Sequence, residues 1–261
     1  MGKLFFVGLG LNSEIGISLH GLEAARQADS VFVELYTNLM PELSIDSLEK
    51  IIGKPVQELN RKDLEESPHT NVLAAAKVGT SVLLVPGDPM TATTHIDLRL
   101  RAHENGIETT VIHGASIITA AIGACGLQIY KFGRTVTIPV PEPNYAPDTP
   151  YLVFVENQRR GLHTLFLLDV KADEGKFLSV REGLNYLLRV QEEKKQDHLT
   201  NNTLSVGIAR VGSSSQLVHA GSVDFLRSIE LGGPPQALII PGKLHFVEEE
   251  GLKAFANWSR Q

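Results

Sequence analysis

The chain has 261 residues, 43% of them hydrophobic and 21% charged, with a formal net charge of −6. That length allows two compact domains whose cores need no metal or disulfide, and the acidic balance argues against a nucleic acid partner gripped through its phosphates. The single cysteine, Cys125, excludes an internal disulfide and fits a reducing cytoplasm, and no apolar run approaches the length of a membrane-spanning helix.

The first half alternates strand-like and helix-like segments. Residues 3–8 form an apolar run closed by Gly8-Leu9-Gly10. Ile15, Leu19 and Leu22 are spaced four and three apart and predict one helical face. Residues 31–36 (VFVELY) read as a strand, 47–52 as a helix closed by Gly53, and 56–59 as a short strand. Residues 71–78 predict a helix closed by Gly79, and 81–85 a strand. A helix over 95–104 stops at Asn105-Gly106, and 107–112 give a fifth strand. Apolar strands separated by helices imply a parallel five-stranded sheet covered on both faces, whose ligands collect at the carboxyl ends of its strands.

The second half reads differently. Strands are predicted over 134–140, 165–170, 203–211, 216–220 and 236–240, with helices over 180–191 and 247–258. The four residues Gly212 to Ser215 join two of these strands as a hairpin-like link, so the second sheet should be mixed. The boundary falls near residues 112–116, giving an N-terminal α/β domain over 1–113 and a C-terminal α/β domain over 114–261. The polar stretches 61–71 and 141–150 read as exposed loops and candidate rims for a protein partner.

Four features bear on chemistry. GLGLNSEIG follows the first strand, but Ser13 stands where the dinucleotide fingerprint needs its third glycine, and Glu34 is only a loose counterpart of the ribose-binding acid. PGDP follows the strong strand over 81–85. Gly87 permits the bend, and Pro89 restricts Asp88 to extended backbone with its carboxylate at a strand end. The bland role for Asp88 is to cap the helix that follows, a task for which Thr93 and Thr94 compete. HGASI (residues 113–117) enters the next helix, where Ser116 is a natural cap and free N–H groups can hold an anion. His113 alone reads more readily as a structural histidine than as a base. Finally, the nine histidines show no metal-ligand spacing, which argues against a metal site, and no G-x-S-x-G elbow marks a serine nucleophile. Cys125, in ASIITAAIGACG, reads as a packed helix residue.

The order GLGL, ADSVFVELYT, PGDPMTATTH, HGASI, GLHTLFLLD, IARVGS and GPPQALIIPGKLHFVE spans nearly the whole chain. It resembles the diphthine synthase family, within the tetrapyrrole-methylase-like class of S-adenosylmethionine-dependent methyltransferases. HGASI departs from the family's commoner HAPSI, and Gln236 stands where some members carry histidine.

The resemblance implies two α/β domains with S-adenosyl-L-methionine in the cleft between them, S-adenosyl-L-homocysteine as product, and a cytoplasmic homodimer. It implies methylation of the amine of 3-amino-3-carboxypropyl-histidine on translation elongation factor 2, three transfers giving diphthine. Carried over by motif, cofactor contacts fall on Leu11, Asp88, Thr91, Ser116, Ile117, Leu168, Val211 and Gln236. No catalytic base is identified. Methyl transfer from a sulfonium to an amine has a neutral leaving group and depends mainly on alignment, so it needs neither metal nor nucleophile. Alternatives are a tetrapyrrole methyltransferase of the same fold, an RNA ribose methyltransferase (disfavoured by the charge), a nucleotide-dependent oxidoreductase (disfavoured by the broken fingerprint) and a non-catalytic binding module.

Overall fold

A computed structural model describes residues 2–143 and 145–259. Met1, Asn144, Arg260 and Gln261 lie outside the described residues, so the candidate rim over 141–150 is described except at Asn144. The chain forms two compact units. One runs up to Ile117 and takes in Lys171–Gly175; the other spans Ile118–Val170 and continues from Lys176.

The first unit contains β1 (Lys3–Gly8), α1 (Leu19–Gln27), β2 (Ser30–Glu34), α2 (Ile45–Ile52), β3 (Gln57–Leu59), α3 (Arg61–Glu65), α4 (Val72–Val78), β4 (Thr80–Val85), α5 (His95–Glu104) and β5 (Glu108–Ile112). Its five strands are all parallel, in the order β3-β2-β4-β1-β5. Both faces are covered, because successive side chains on a strand point to opposite sides. Leu83 and Val85 of β4 pack with Leu73, Leu98 and Ala102. Val82 and Leu84 pack instead with Ala25, Leu48 and Ile52.

The start of α1 differs from the periodicity reading. Ile15 lies in a separate 3-10 turn, Glu14–Gly16, and the Ser18 side chain caps α1 by accepting from the Gly21 amide. Ile15 and Leu19 are 83% and 86% exposed. The buried face is Gly21, Ala24 and Ala25; a Cβ on Gly21 would sit 2.5 Å from Val7 Cγ1, so the helix packs close because that face is small. The stretch over 61–71 is also not all loop. Asn60 and Asp63 form a reciprocal capping box that nucleates α3.

The helix α6 (Ile117–Cys125) begins at the end of the first unit and continues in the second. Cys125 is buried on it, and burial pushes its thiol up to about 11. The second unit then holds β6 (Val136–Ile138), α7 (Thr149–Arg159), β7 (Thr164–Leu168), α8 (Val180–Glu193), β10 (Leu204–Ala209), β11 (Leu217–Ser222), α9 (Val223–Ser228), β12 (Gln236–Ile240) and α10 (Phe246–Phe255), with two short strands, β8 (Val170–Lys171) and β9 (Lys176–Phe177), after β7. The main sheet is mixed, in the order β11-β10-β12-β7-β6; β6 and β7 are parallel and the other pairs antiparallel. Helices α7 and α9 were not visible as periodic patterns. α7 opens with a proline in its first turn, directly after a loop that carries Pro139, Pro141, Pro143 and Pro147, and α9 has only six residues.

Candidate active site

In the first unit, the loops that follow β4, β1 and β5 leave three adjacent parallel strands at the same carboxyl edge. Bare backbone lets them converge. Gly10 and Gly87 exchange main-chain hydrogen bonds, Gly10 N to Gly87 O at 3.2 Å and Gly87 N to Gly10 O at 2.6 Å. A Cβ on Gly8 would lie 2.5 Å from Gly87 O and 2.6 Å from Gly114 N, and Gly87 has φ +71°. Side chains at these positions would force the loops apart.

Asp88 stands in this junction with only 9% of its surface exposed. Its Oδ1 accepts from the Met90 amide at 3.0 Å and from the Thr91 hydroxyl at 3.1 Å. Its Oδ2 lies 2.7 Å from His113 Nδ1. Burial pushes the Asp88 carboxyl up, but the bonds from Met90, His113 and Thr91 outweigh it and hold the group below its ordinary value. The carboxylate is therefore ionised and accepts from Nδ1–H. It does not cap α5, whose N-cap position is Thr94. Pro89 and Gly87 instead aim it across to the loop after β5.

Five of the sequence-predicted residues gather at this edge. Leu11 follows the Gly10–Gly87 bridge, Asp88 and Thr91 form the turn after β4, and Ser116 and Ile117 sit at the start of α6. The other three gather at one edge of the second sheet. Leu168 ends β7, Gln236 begins the neighbouring antiparallel β12, and Val211 follows β10, which pairs with β12 on its other side. Leu168 is buried in the core of that unit, and Val211 is buried as well. The Gln236 amide is committed at both ends. Its Oε1 accepts from the Val180 amide at 2.8 Å and its Nε2 donates to Gly232 O at 2.8 Å.

Glu34, the loose counterpart of a ribose-binding acid, is fully buried and accepts from the Thr37 amide at 3.1 Å and its hydroxyl at 2.5 Å. The pairing of His113 with Asp88 was missed in the sequence because 25 residues separate the partners; the only signal was that each follows a strand.

The family model described as Tetrapyrrole (Corrin/Porphyrin) Methylases matches residues 3–225. The chain belongs to this family. Within the methylases it stands with the diphthine synthases. It is 44% identical over 253 residues to the diphthine synthase of Methanocella arvoryzae, covering 97% of this chain and 98% of that one. It is 46% identical over 256 residues to that of Methanosphaerula palustris, covering 98% and 99%. A crystal structure of diphthine synthase superposes with a TM-score of 0.86 at 39% identity, covering 98% of this chain and 96% of the other. This methylase is an S-adenosylmethionine-dependent methyltransferase of diphthamide biosynthesis.

Proposed function

We propose that this methyltransferase acts on the amine of 3-amino-3-carboxypropyl-histidine on translation elongation factor 2, three transfers giving diphthine. The observation that carries the reading is the glycine-lined junction of the loops after β4, β1 and β5, with one ionised carboxylate fixed inside it, on a chain similar along its length to diphthine synthases.

The junction suits S-adenosylmethionine. The exposed main chain at Gly10 and Gly87 admits close approach, and Asp88 Oδ2 keeps a lone pair for a ligand ammonium or hydroxyl beside its single hydrogen bond. In this reading Asp88 orients the polar end of the cofactor, Thr91 holds Asp88 in place, and Ser116 and Ile117 offer the opening turn of α6. Leu11 supplies an apolar wall. Leu168, Val211 and Gln236 act mainly through main chain, since the first two side chains are buried and the third is already hydrogen-bonded. When bound, the cofactor supplies a methyl group on a positively charged sulfur. The protein's contribution is alignment and exclusion of water.

We further place the enzyme in the cytoplasm as a homodimer. Among the described residues no helix is long and apolar enough to cross a membrane. Exposed Ile129, Tyr130, Phe246 and Val247 give the second unit apolar surface that a second copy would cover.

Two measurements test the function. S-adenosylhomocysteine should raise the melting temperature, whereas NAD and ATP should not. Labelled S-adenosylmethionine should then pass its methyl to elongation factor 2 bearing the unmethylated side chain; label appearing instead on a tetrapyrrole precursor would replace the acceptor.

A further inference from the structure

We propose that His113 is the base that takes the proton from the attacking amine, with Asp88 as the residue that orients it. This rests on the reading that the acceptor is an amine.

Three observations carry it. First, the Asp88 carboxylate accepts from Nδ1 at 2.7 Å, which fixes the neutral imidazole as the Nδ1–H tautomer and leaves the Nε2 lone pair free. Second, the two partners differ in access: the His113 side chain is 73% exposed and that of Asp88 8%. A buried carboxylate thus holds a ring whose other nitrogen is open to a ligand. Third, Asp88 is itself held by the Met90 amide and the Thr91 hydroxyl, so the ring is anchored to a carboxylate that its own turn fixes by two further hydrogen bonds. A base oriented by a fixed carboxylate is the arrangement that general-base chemistry requires.

The chemistry needs such a group. The acceptor amine is an α-amino group, on the carbon that carries the carboxylate; its pKa lies above neutral, so it arrives mostly as the ammonium and has no lone pair to give. His113 Nε2 accepts one proton from the ammonium. The freed nitrogen pair forms the new N–C bond while the C–S bond breaks and its electron pair stays on sulfur. The product is a methylated ammonium and a neutral thioether, and His113 returns its proton to solvent. Each transfer therefore releases one proton, and the imidazole is regenerated for the next. After the last transfer the nitrogen carries no proton, so the base has nothing left to accept and the series stops.

The test uses His113→Asn, whose side-chain N–H can still donate to Asp88 but which has no basic nitrogen. Transfer of labelled methyl to the unmethylated side chain on elongation factor 2 is measured alongside calorimetric affinity for S-adenosylhomocysteine. We expect kcat to fall by about 100-fold or more with affinity nearly unchanged, and the residual rate to climb with pH as free amine accumulates. In the wild-type protein, nitrogen NMR of the His113 ring should show the Nδ1–H tautomer. Retention of the wild-type rate and pH profile, loss of cofactor affinity in step with kcat, or an Nε2–H ring would each overturn the assignment. A wild-type protein that binds S-adenosylhomocysteine but methylates a different acceptor would sink the acceptor reading instead, and an acceptor without an N–H would take the base with it.

Discussion

Glu248 and His163 meet at 2.9 Å with neither side chain exposed to solvent. The same carboxylate accepts from Lys131 Nζ at 2.6 Å and from the amides of Gln128 at 3.0 Å and His245 at 2.9 Å. His163 in turn accepts at Nδ1 from the Gly242 amide at 2.8 Å. One buried acid thus ties the turn after α6, the approach to β7 and the cap of α10 into a single network.

Breaking that network should be costly. Burial pushes the Glu248 carboxyl up, but bonds from Lys131, His245, Gln128 and His163 prevail and hold it at about 2, against an ordinary 4.5. Its contribution is fully present above about 4.5 and is lost as pH falls through 2. Glu248→Ala takes the carboxylate from Lys131, which keeps the Lys243 carbonyl, and leaves the buried His163 Nε2 without its partner; it should cost about 3–5 kcal/mol. Urea unfolding at pH 7 checks this; a loss below about 1 kcal/mol would show the network to be dispensable.

Glu34 should have the opposite sign. Burial raises its carboxyl from 4.5 to about 7, the bonds from Thr37 lowering it only in part. The native state holds its proton more tightly than the unfolded chain does. The stabilising effect of that proton is complete below 4.5 and disappears as pH rises through 7. Glu34→Gln should therefore be relatively more stable than the parent at pH 8 than at pH 5. Parallel thermal melts at the two pH values would show the difference, and identical offsets at both would contradict it.

His95 lies beside it, its Nε2 3.7 Å from Glu34 Oε1, and burial lowers its ring to about 4 from 6.5. The native ring stays neutral while the unfolded one protonates, so its effect is present above 6.5 and lost as pH falls through 4. His95→Gln should flatten the loss of stability between these limits, as read from denaturant midpoints. An unchanged slope would mean another group titrates there.

Asp88→Ala should weaken S-adenosylhomocysteine binding by roughly 10-fold to 100-fold, the range for losing a hydrogen bond to a charged group. Titration calorimetry decides it, and an unaltered Kd would remove Asp88 from the cofactor site.

Gly8→Ala tests the glycine junction without touching a polar group. Its Cβ would meet main-chain atoms of Gly87 and Gly114 at 2.5 and 2.6 Å, none of which can rotate away. We expect a loss of about 1–3 kcal/mol, visible as a lower Tm. Parental stability would mean the loops part easily.

Much of the architecture was legible in the residues. β4, with its unbroken apolar run, and β12, read at its observed bounds, were clear because buried strands need continuous hydrophobicity. The antiparallel pairing of β10 and β11 followed from the short hairpin-like link read between them, although the observed connection is longer, running over residues 210–216. The first helix misled because apolar spacing at Ile15 and Leu19 resembles a buried face, while the face that packs is glycine and alanine, which carry little hydrophobic signal. The short α3 was hidden because a capping box, not periodicity, starts it.

The sequence by itself determined the two kinds of sheet, the loops that end their strands, the aspartate pinned between glycine and proline, and the family. Those are local or cumulative properties, written in neighbouring residues or spread along the whole chain. Only the tertiary structure decided that Asp88 meets His113, that Glu248 gathers Lys131 and His163, and that the Gln236 amide is already committed. These partners lie tens of residues apart, and which side chains meet is set by strand order and register, which no short stretch of sequence encodes.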